Sequence, residues 1–396
     1  MNKFNINHKS YTRETYLYYG KQSIDEDDIQ EVIKVLRSDY LTTGPCVKIF
    51  EENIANYVGA KYAVAFSNGT AALHGACFAA GIGEGDEVIV SPMTFAASSN
   101  AILYCGGIPI FCDIDINTGN IDVSKIEEKI TSKTKAIIPV DFAGHSVDMD
   151  EIMKIADKYN LVVIEDGAHA LGGEYKNKKI GNGAHMTEFS FHPVKPITTG
   201  EGGIITTNDK ELYDRLIRFR SHGITRDKKF LINKNEGPWY YEQLELGFNY
   251  RLTDIGAALG VSQLKKLDKF IERRREIANI YNEAFKDIEE IEIPIEYDYA
   301  KSGYHIYVIK LKLEKLCKTH KEIFIELQNN NIGANVHYIP VYYHPYYKKL
   351  GYEKGLCKAA EEFYERIITL PLHSSITDEE ITYIISKVRE IIKTNS

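Results

Sequence analysis

Cysteine is scarce and unpaired in this sequence. Six residues are scattered at Cys46, Cys77, Cys105, Cys112, Cys317 and Cys357, with no CxxC pair among them. That excludes the clustered sulfur ligands of a zinc site and offers no disulfide framework. Cys77, Cys105 and Cys112 sit in apolar runs and read as small core residues. Basic charge is not in excess, since 48 Lys+Arg against 56 Asp+Glu leave a net charge of −8. Sequence-independent nucleic-acid binding needs a basic face, so it is not expected. No apolar run reaches the length of a membrane-spanning helix, and the start MNKFNINHKSYTRETYLYYG lacks the apolar stretch of a secretory signal. The expectation is a reduced, cytoplasmic protein without nucleic-acid or membrane partners. Internal repeats and low-complexity tracts are also missing. What is present is a chain of 396 residues, 44% hydrophobic and 26% charged, enough for one large domain and a smaller one.

Residues 24–58 read as helices interrupted by a turn at Thr42-Thr43-Gly44-Pro45. From residue 60 to about 210 the pattern alternates. Runs at Tyr62–Phe66, Glu87–Val90, Ile108–Phe111, Ala136–Val140 and Leu161–Ile164 predict buried strands. Segments at Ala71–Ala80, Phe95–Cys105 and Met149–Tyr159 carry helical periodicity. This alternation predicts an α/β fold with a mostly parallel sheet and helices on both faces. In such sheets ligands bind at the carboxyl ends of strands. Residues 251–286 predict one long helix whose ERRRE run reads as a solvated face. The pattern changes after Ile291, with an alternating strand at Tyr304–Leu313 and helices at 320–329 and 377–393. The expected layout is an N-terminal arm over 1–20, a large domain over 21–285 and a small α+β domain over 286–396.

Four features follow strands. Ser67-Asn68-Gly69-Thr70-Ala71 closes a strand and opens a helix, a turn whose free N–H groups suit a phosphate. Alone it reads as well as a plain helix start with Thr70 as its cap. Asp166, in Val163-Ile164-Glu165-Asp166-Gly167-Ala168-His169, ends an apolar strand. A carboxylate so desolvated needs a cationic partner, such as the protonated ring nitrogen of pyridoxal phosphate. Lys195 lies about 30 residues further on, in FSFHPVKPITTGEGG, beside two prolines and before a glycine-rich turn. A lysine held in a pocket loses part of its basicity and can condense with an aldehyde. The fourth feature is Gly247-Phe248-Asn249-Tyr250-Arg251-Leu252, ahead of the long helix. In that order, phosphate turn, acidic strand end and lysine suggest a pyridoxal phosphate enzyme of the aspartate-aminotransferase-like fold, known as PLP fold type I.

The sequence also resembles the DegT/DnrJ/EryC1/StrS family of sugar-nucleotide aminotransferases over nearly its whole length. The resemblance is carried by Tyr19-Gly20-Lys21-Gln22-Ser23-Ile24-Asp25, Leu41-Thr42-Thr43-Gly44-Pro45, the four features above, His337-Tyr338-Ile339-Pro340, Leu370-Pro371-Leu372 and Ile376-Thr377-Asp378-Glu379. FSFHPVKPITTGEGG, SHGITRD, GPWYYE and LGFNYRLTD are most similar to the pseudaminic acid branch, which makes UDP-4-amino-4,6-dideoxy-N-acetyl-β-L-altrosamine. The resemblance implies that Lys195 carries pyridoxal phosphate and that Asp166 pairs with its ring nitrogen. His169 would lie beside the ring hydroxyl and Phe95 would stack on the ring. Thr70, the Ala71 backbone and Ser190 would hold the phosphate. Asn249 would reach the phosphate of a neighbouring subunit, which implies a homodimer with shared active sites. His337 and Tyr338 would lie near the substrate, with Lys21 and Arg226 as candidates for its diphosphate. Gly167, where the family often has alanine, is expected to loosen the strand end.

The implied reaction moves an amino group from L-glutamate to a UDP-linked 4-keto-6-deoxy-N-acetylhexosamine. Other nucleotide-ketosugar aminotransferases, acting at C3 or on the D-epimer, share these features. Pyridoxal phosphate sugar dehydratases of the same fold replace the lysine by histidine, and Lys195 argues against them.

Overall fold

The computed structural model describes residues 13–393. Of the expected arm, residues 1–12 therefore lie outside the described residues. Residues 13–20 run along the C-terminal part of the chain. Leu17 bridges to Ile332, Arg13 pairs with Glu380 at 3.1 Å, and the Tyr19 carbonyl accepts from the Leu372 N–H at 3.0 Å.

Seven strands form the central sheet: β1 (Tyr62–Phe66), β2 (Glu87–Val90), β3 (Ile108–Phe111), β4 (Thr134–Ile138), β5 (Val162–Asp166), β6 (Met186–Ser190) and β7 (Gly203–Thr207). Their spatial order is β1-β7-β6-β5-β4-β2-β3. Every neighbouring pair is parallel except those of β7, which runs antiparallel to both β1 and β6. The physical reason lies in the link from β6 to β7, which contains no helix. A parallel return needs a crossover long enough to cross the sheet, whereas a loop reverses the chain. That loop carries Lys195.

The strands are apolar along nearly their whole length because helices cover both faces. The chain enters through α1 (Glu26–Leu36) and α2 (Pro45–Val58). Gly44 and Pro45 do more than stop a helix: Gly44 is the cap and Pro45 the first residue of α2, where a missing N–H costs nothing. α3 (Gly69–Ala79), α4 (Ala97–Tyr104), α5 (Met149–Tyr159) and α6 (Lys210–Phe219) follow their strands.

The single helix expected over 251–286 is two, α7 (Asp254–Leu264) and α8 (Leu267–Phe285). They part at Lys265-Lys266, where the Lys266 ammonium turns back to Asp25 and Asp28 of the α1 cap. The ERRRE run is not a solvated face. Arg274 is buried and donates to the carbonyls of Tyr304, His305 and Leu372, and Arg275 donates to those of Ser302 and Lys301. Guanidinium groups carry several donors, so they tie down backbone that has no ladder of its own.

The second sheet is antiparallel, in the order β8 (Ile291–Glu292), β9 (Tyr307–Leu311), β10 (Ile367–Leu370). Its core is shared with α9 (His320–Asn329), a C-terminal helix α10 (Asp378–Lys393) and the second half of α8, through Ile277, Tyr281 and Phe285. Val341, Tyr342, Tyr347 and Phe363 instead join the core of the central sheet. Tyr342 and Tyr347 are therefore packing residues, their hydroxyls donating to Glu361 and Asn100 at 2.8 Å each. The Cys105 thiol is only half-buried, unlike those of Cys77 and Cys112. No helix of the described residues is long and apolar enough to cross a membrane.

Candidate active site

The carboxyl ends of β1, β5 and β6 converge with the loop after β6. Asp166 closes β5 with 4% of its surface exposed. It is held by the Ser98 hydroxyl of α4 at 2.5 Å and the Ala168 N–H at 3.2 Å. Because Ser98 gives its proton to Asp166, the Thr94 hydroxyl 2.7 Å away donates to Ser98 in turn. Burial raises the Asp166 pKa, while Ser98, Ala168 and the nearby Lys195 charge oppose the rise. The turn after Asp166 is not a helix start, so its carboxylate is not a helix cap.

Lys195 sits on the return loop, its N–H donating to the His192 carbonyl at 2.9 Å. The residue is half-buried, and burial pulls the pKa of its amine down to about 8 against the pull of Glu188 and Asp166. It is not a solvated surface lysine. The loop is pinned by the Thr198 hydroxyl, which donates to the Phe191 carbonyl at 2.8 Å. It is also covered by the N-terminal segment: a Cβ on Gly20 would stand 3.0 Å from Val194 Cβ. Lys21 follows, exposed and close enough to act on His373.

At the phosphate turn the helix cap is Asn68 and not Thr70. Asn68 Oδ1 accepts from the Ala71 N–H at 2.8 Å. The Ala71 backbone, expected to hold phosphate, is thus already engaged. Gly69 and Thr70, at the first two positions of α3, have no intrahelical acceptor for their N–H groups. Ser190, at the end of β6, faces the same turn, with its Oγ 3.2 Å from where a Gly69 Cβ would stand.

His169 is enclosed. Its Nε2 meets the Tyr338 hydroxyl at 3.0 Å and its ring stacks on that of Tyr338, centroids 6.0 Å apart. The other ring nitrogen, Nδ1, is buried and has no partner among the described residues. Burial holds the imidazole well below its ordinary pKa, hence neutral. Phe95 is 64% exposed beside this group, its ring 6.5 Å from that of Tyr338.

Three expected residues have other contacts within this chain. His337 is buried, with its ring nitrogens on Thr369 Oγ1 at 2.9 Å and Asn335 at 3.2 Å, and it lies close enough to Lys195 for that charge to act on it. Arg226 is exposed in the excursion between α6 and α7, over the Tyr241 ring at 4.9 Å and donating to the Trp239 carbonyl at 3.3 Å. Asn249 is exposed, its strand bridged to Ser221 and pressed on the end of β1 through Ser67 N–H to Tyr250 carbonyl at 2.7 Å.

Gly167 does not loosen the strand end. Its N–H donates to the Glu188 carbonyl at 2.9 Å, and a Cβ there would stand 2.9 Å from that same oxygen and 3.0 Å from the Phe189 ring. Gly167→Ala is expected to destabilise the fold by ~1–3 kcal/mol through overpacking, read as a lowered denaturant midpoint.

Sequence reasoning missed Ser98, His305 and Glu188. The His305 ring packs 4.3 Å from that of His169. Glu188 had a visible signal, an acidic residue inside an otherwise buried strand. Glu165, on the other face of β5, accepts from Thr187 at 2.7 Å, and burial pushes it up to about 7.

These residues fit pyridoxal phosphate. Among the described residues a buried carboxylate lacks a contacting cation, an enclosed imidazole nitrogen lacks a partner, a helix N-terminus offers free donors, and a phenyl ring stands uncovered. Residues 22–389 match the DegT/DnrJ/EryC1/StrS aminotransferase family. The UDP-4-amino-4,6-dideoxy-N-acetyl-beta-L-altrosamine transaminase of Campylobacter jejuni is 42% identical over 369 residues, 92% of this chain and 95% of that one. Among solved structures, Helicobacter pylori PseC, an aminotransferase involved in the biosynthesis of pseudoaminic acid, aligns with a TM-score of 0.88 at 36% identity, covering 96% of this chain and 100% of that one. Spr1654 of Streptococcus pneumoniae in its PLP form aligns with a TM-score of 0.88 at 32% identity, covering 96% and 99%. The chain belongs to the DegT/DnrJ/EryC1/StrS aminotransferase family and is a pyridoxal phosphate-dependent sugar-nucleotide aminotransferase.

Proposed function

We propose that the protein aminates C4 of UDP-2-acetamido-2,6-dideoxy-β-L-arabino-hex-4-ulose, with L-glutamate as donor, giving UDP-4-amino-4,6-dideoxy-N-acetyl-β-L-altrosamine. The observation that carries the substrate reading is the likeness to a transaminase of that name along nearly the whole of both chains. The observation that supports the residue roles is that Asp166 ends β5 in register with β6, whose return loop carries Lys195, and that the two charges act on each other.

When bound, pyridoxal phosphate supplies an aldehyde for amines and a ring that withdraws electrons from the carbon bearing the nitrogen. In this reading Asp166 holds the proton on the ring nitrogen, and Ser98 and Ala168 hold Asp166 in place. His169 Nδ1 donates to the ring hydroxyl, its ring fixed by Tyr338. Phe95 covers one ring face. Thr70, with Gly69 N–H and Ser190, holds the phosphate. Lys195, with a pKa near 8, is neutral often enough at neutral pH to take the proton from the donor α-carbon and later return one to the sugar C4. Lys21, at the rim, faces the diphosphate of the nucleotide, and Arg226 is the second candidate. Asn249, exposed and without a side-chain hydrogen bond among the described residues, reaches the phosphate of a second copy, and the protein works as a homodimer.

The test is an assay of both C5 epimers of the UDP-4-keto-6-deoxy-N-acetylhexosamine with glutamate, with NMR of the product. Preferred turnover of the L-arabino epimer, with nitrogen at C4, is expected. Preference for the D-epimer, or nitrogen at C3, would overturn the substrate reading and leave the aminotransferase chemistry intact.

A further inference from the structure

One carboxyl in the site has no use in the chemistry above. Glu188, on β6 two residues before Ser190, is 0% exposed, and neither carboxylate oxygen has a hydrogen-bond donor among the described residues. Asp166, its register partner on β5, is about as buried yet receives the Ser98 hydroxyl and the Ala168 N–H. Two carboxyls side by side on one dry sheet face do not both ionise readily. The one with donors keeps the charge, and the one without keeps a proton. Burial first, and the Asp166 charge second, push Glu188 well above the ordinary carboxylate range, with Lys195 opposing. Among the described residues those are the charged groups that act on it. Above it, α3 presents Gly69 and turns His74 into the rings of Phe219 and Phe248, and β7 places Ile205 in register with it.

Its position adds a second observation. Glu188 Oε1 lies 2.7 Å from where a Gly69 Cβ would stand, and Ser190 Oγ lies 3.2 Å from the same point. Gly69 is the first residue of α3, where N–H groups and the helix dipole favour one anion. An ionised Glu188 would compete with a phosphate for those donors and repel it.

We propose that Glu188 is a neutral, proton-bearing carboxyl beneath the phosphate turn, and that loss of its proton as the pH rises weakens the hold on the phosphate of pyridoxal phosphate. The inference rests on the reading that this turn takes the phosphate. The experiment compares the full chain with Glu188→Gln, each freed of cofactor. Equilibrium binding of pyridoxal phosphate, and of pyridoxal, which lacks the phosphate, is measured from about pH 6 to about pH 10. Titrations common to both proteins cancel in the ratio of their affinities. For pyridoxal phosphate the ratio should shift about tenfold in favour of E188Q toward alkaline pH, the scale of one unit charge ~10 Å away through an effective dielectric of ~20. For pyridoxal it should stay constant. A flat ratio for pyridoxal phosphate overturns the proposal. So does an equal shift for both ligands, which would place the action of Glu188 at the amine. Glu188→Met serves in the same ratio should E188Q not fold. Failure of the native chain to bind pyridoxal phosphate at any pH would instead overturn the cofactor reading, and the proposal with it.

Discussion

Lys195→Ala is expected to abolish turnover and the visible absorbance that depends on an imine between this lysine and the cofactor, with the fold unchanged. The side chain projects from a loop whose shape is set elsewhere, by the Thr198 hydroxyl on the Phe191 carbonyl and by the Lys195 N–H on the His192 carbonyl. Truncating it removes the amine and leaves those ties in place. Lys21 does not substitute, because it is exposed, while partial burial lowers the pKa of the Lys195 amine to about 8. Loss of a group that acts both in binding the aldehyde and in moving the proton costs more than either role alone. Steady-state assay with an absorbance spectrum of the purified variant decides it. A variant that kept its activity would end the assignment of Lys195.

Asp166→Asn is expected to lower kcat by ~10²–10³-fold, the scale of removing one preorganised electrostatic partner from a dry site, and to weaken cofactor binding. An amide is nearly isosteric, so the Ser98 and Ala168 contacts can persist in part. What disappears is the negative charge that keeps a ring nitrogen protonated. Kinetics of the two half-reactions, measured separately with glutamate and with the sugar nucleotide, should show both slowed, since each needs the same carbanion stabilisation. Unchanged kinetics would count against the electron-withdrawing role and leave Asp166 as a structural acid.

Much of this was legible in the chain itself. The strands Tyr62–Phe66, Glu87–Val90 and Ile108–Phe111 and the helix Met149–Tyr159 have the bounds their patterns predict. Each is a short element whose apolar run is bounded by turn residues, so local chemistry sets its ends. The reversal of β7 was not legible, because an apolar run looks the same in either direction and only the hydrogen-bond partners distinguish them. The break at Lys265-Lys266 was hidden for a similar reason: both lysines suit a helix, and the pull of Asp25 and Asp28 comes from a distant part of the chain. ERRRE misled because charge in a helix usually means water, whereas here Arg274 finds three backbone carbonyls.

The sequence by itself determined the order of the central strands and the placement of Asp166 at a strand end and of Lys195 on the loop after the next strand, because a carboxylate at an apolar strand end and a lysine before a glycine-rich turn are local statements. Only the tertiary structure decided what surrounds them. Ser98 meets Asp166 across 68 residues of chain, Tyr338 meets His169 across 169, and Glu188 comes to lie under Gly69. Protonation in a dry site depends on every neighbour within a few ångströms, and those neighbours are set by strand register and loop closure, which no local run of residues encodes.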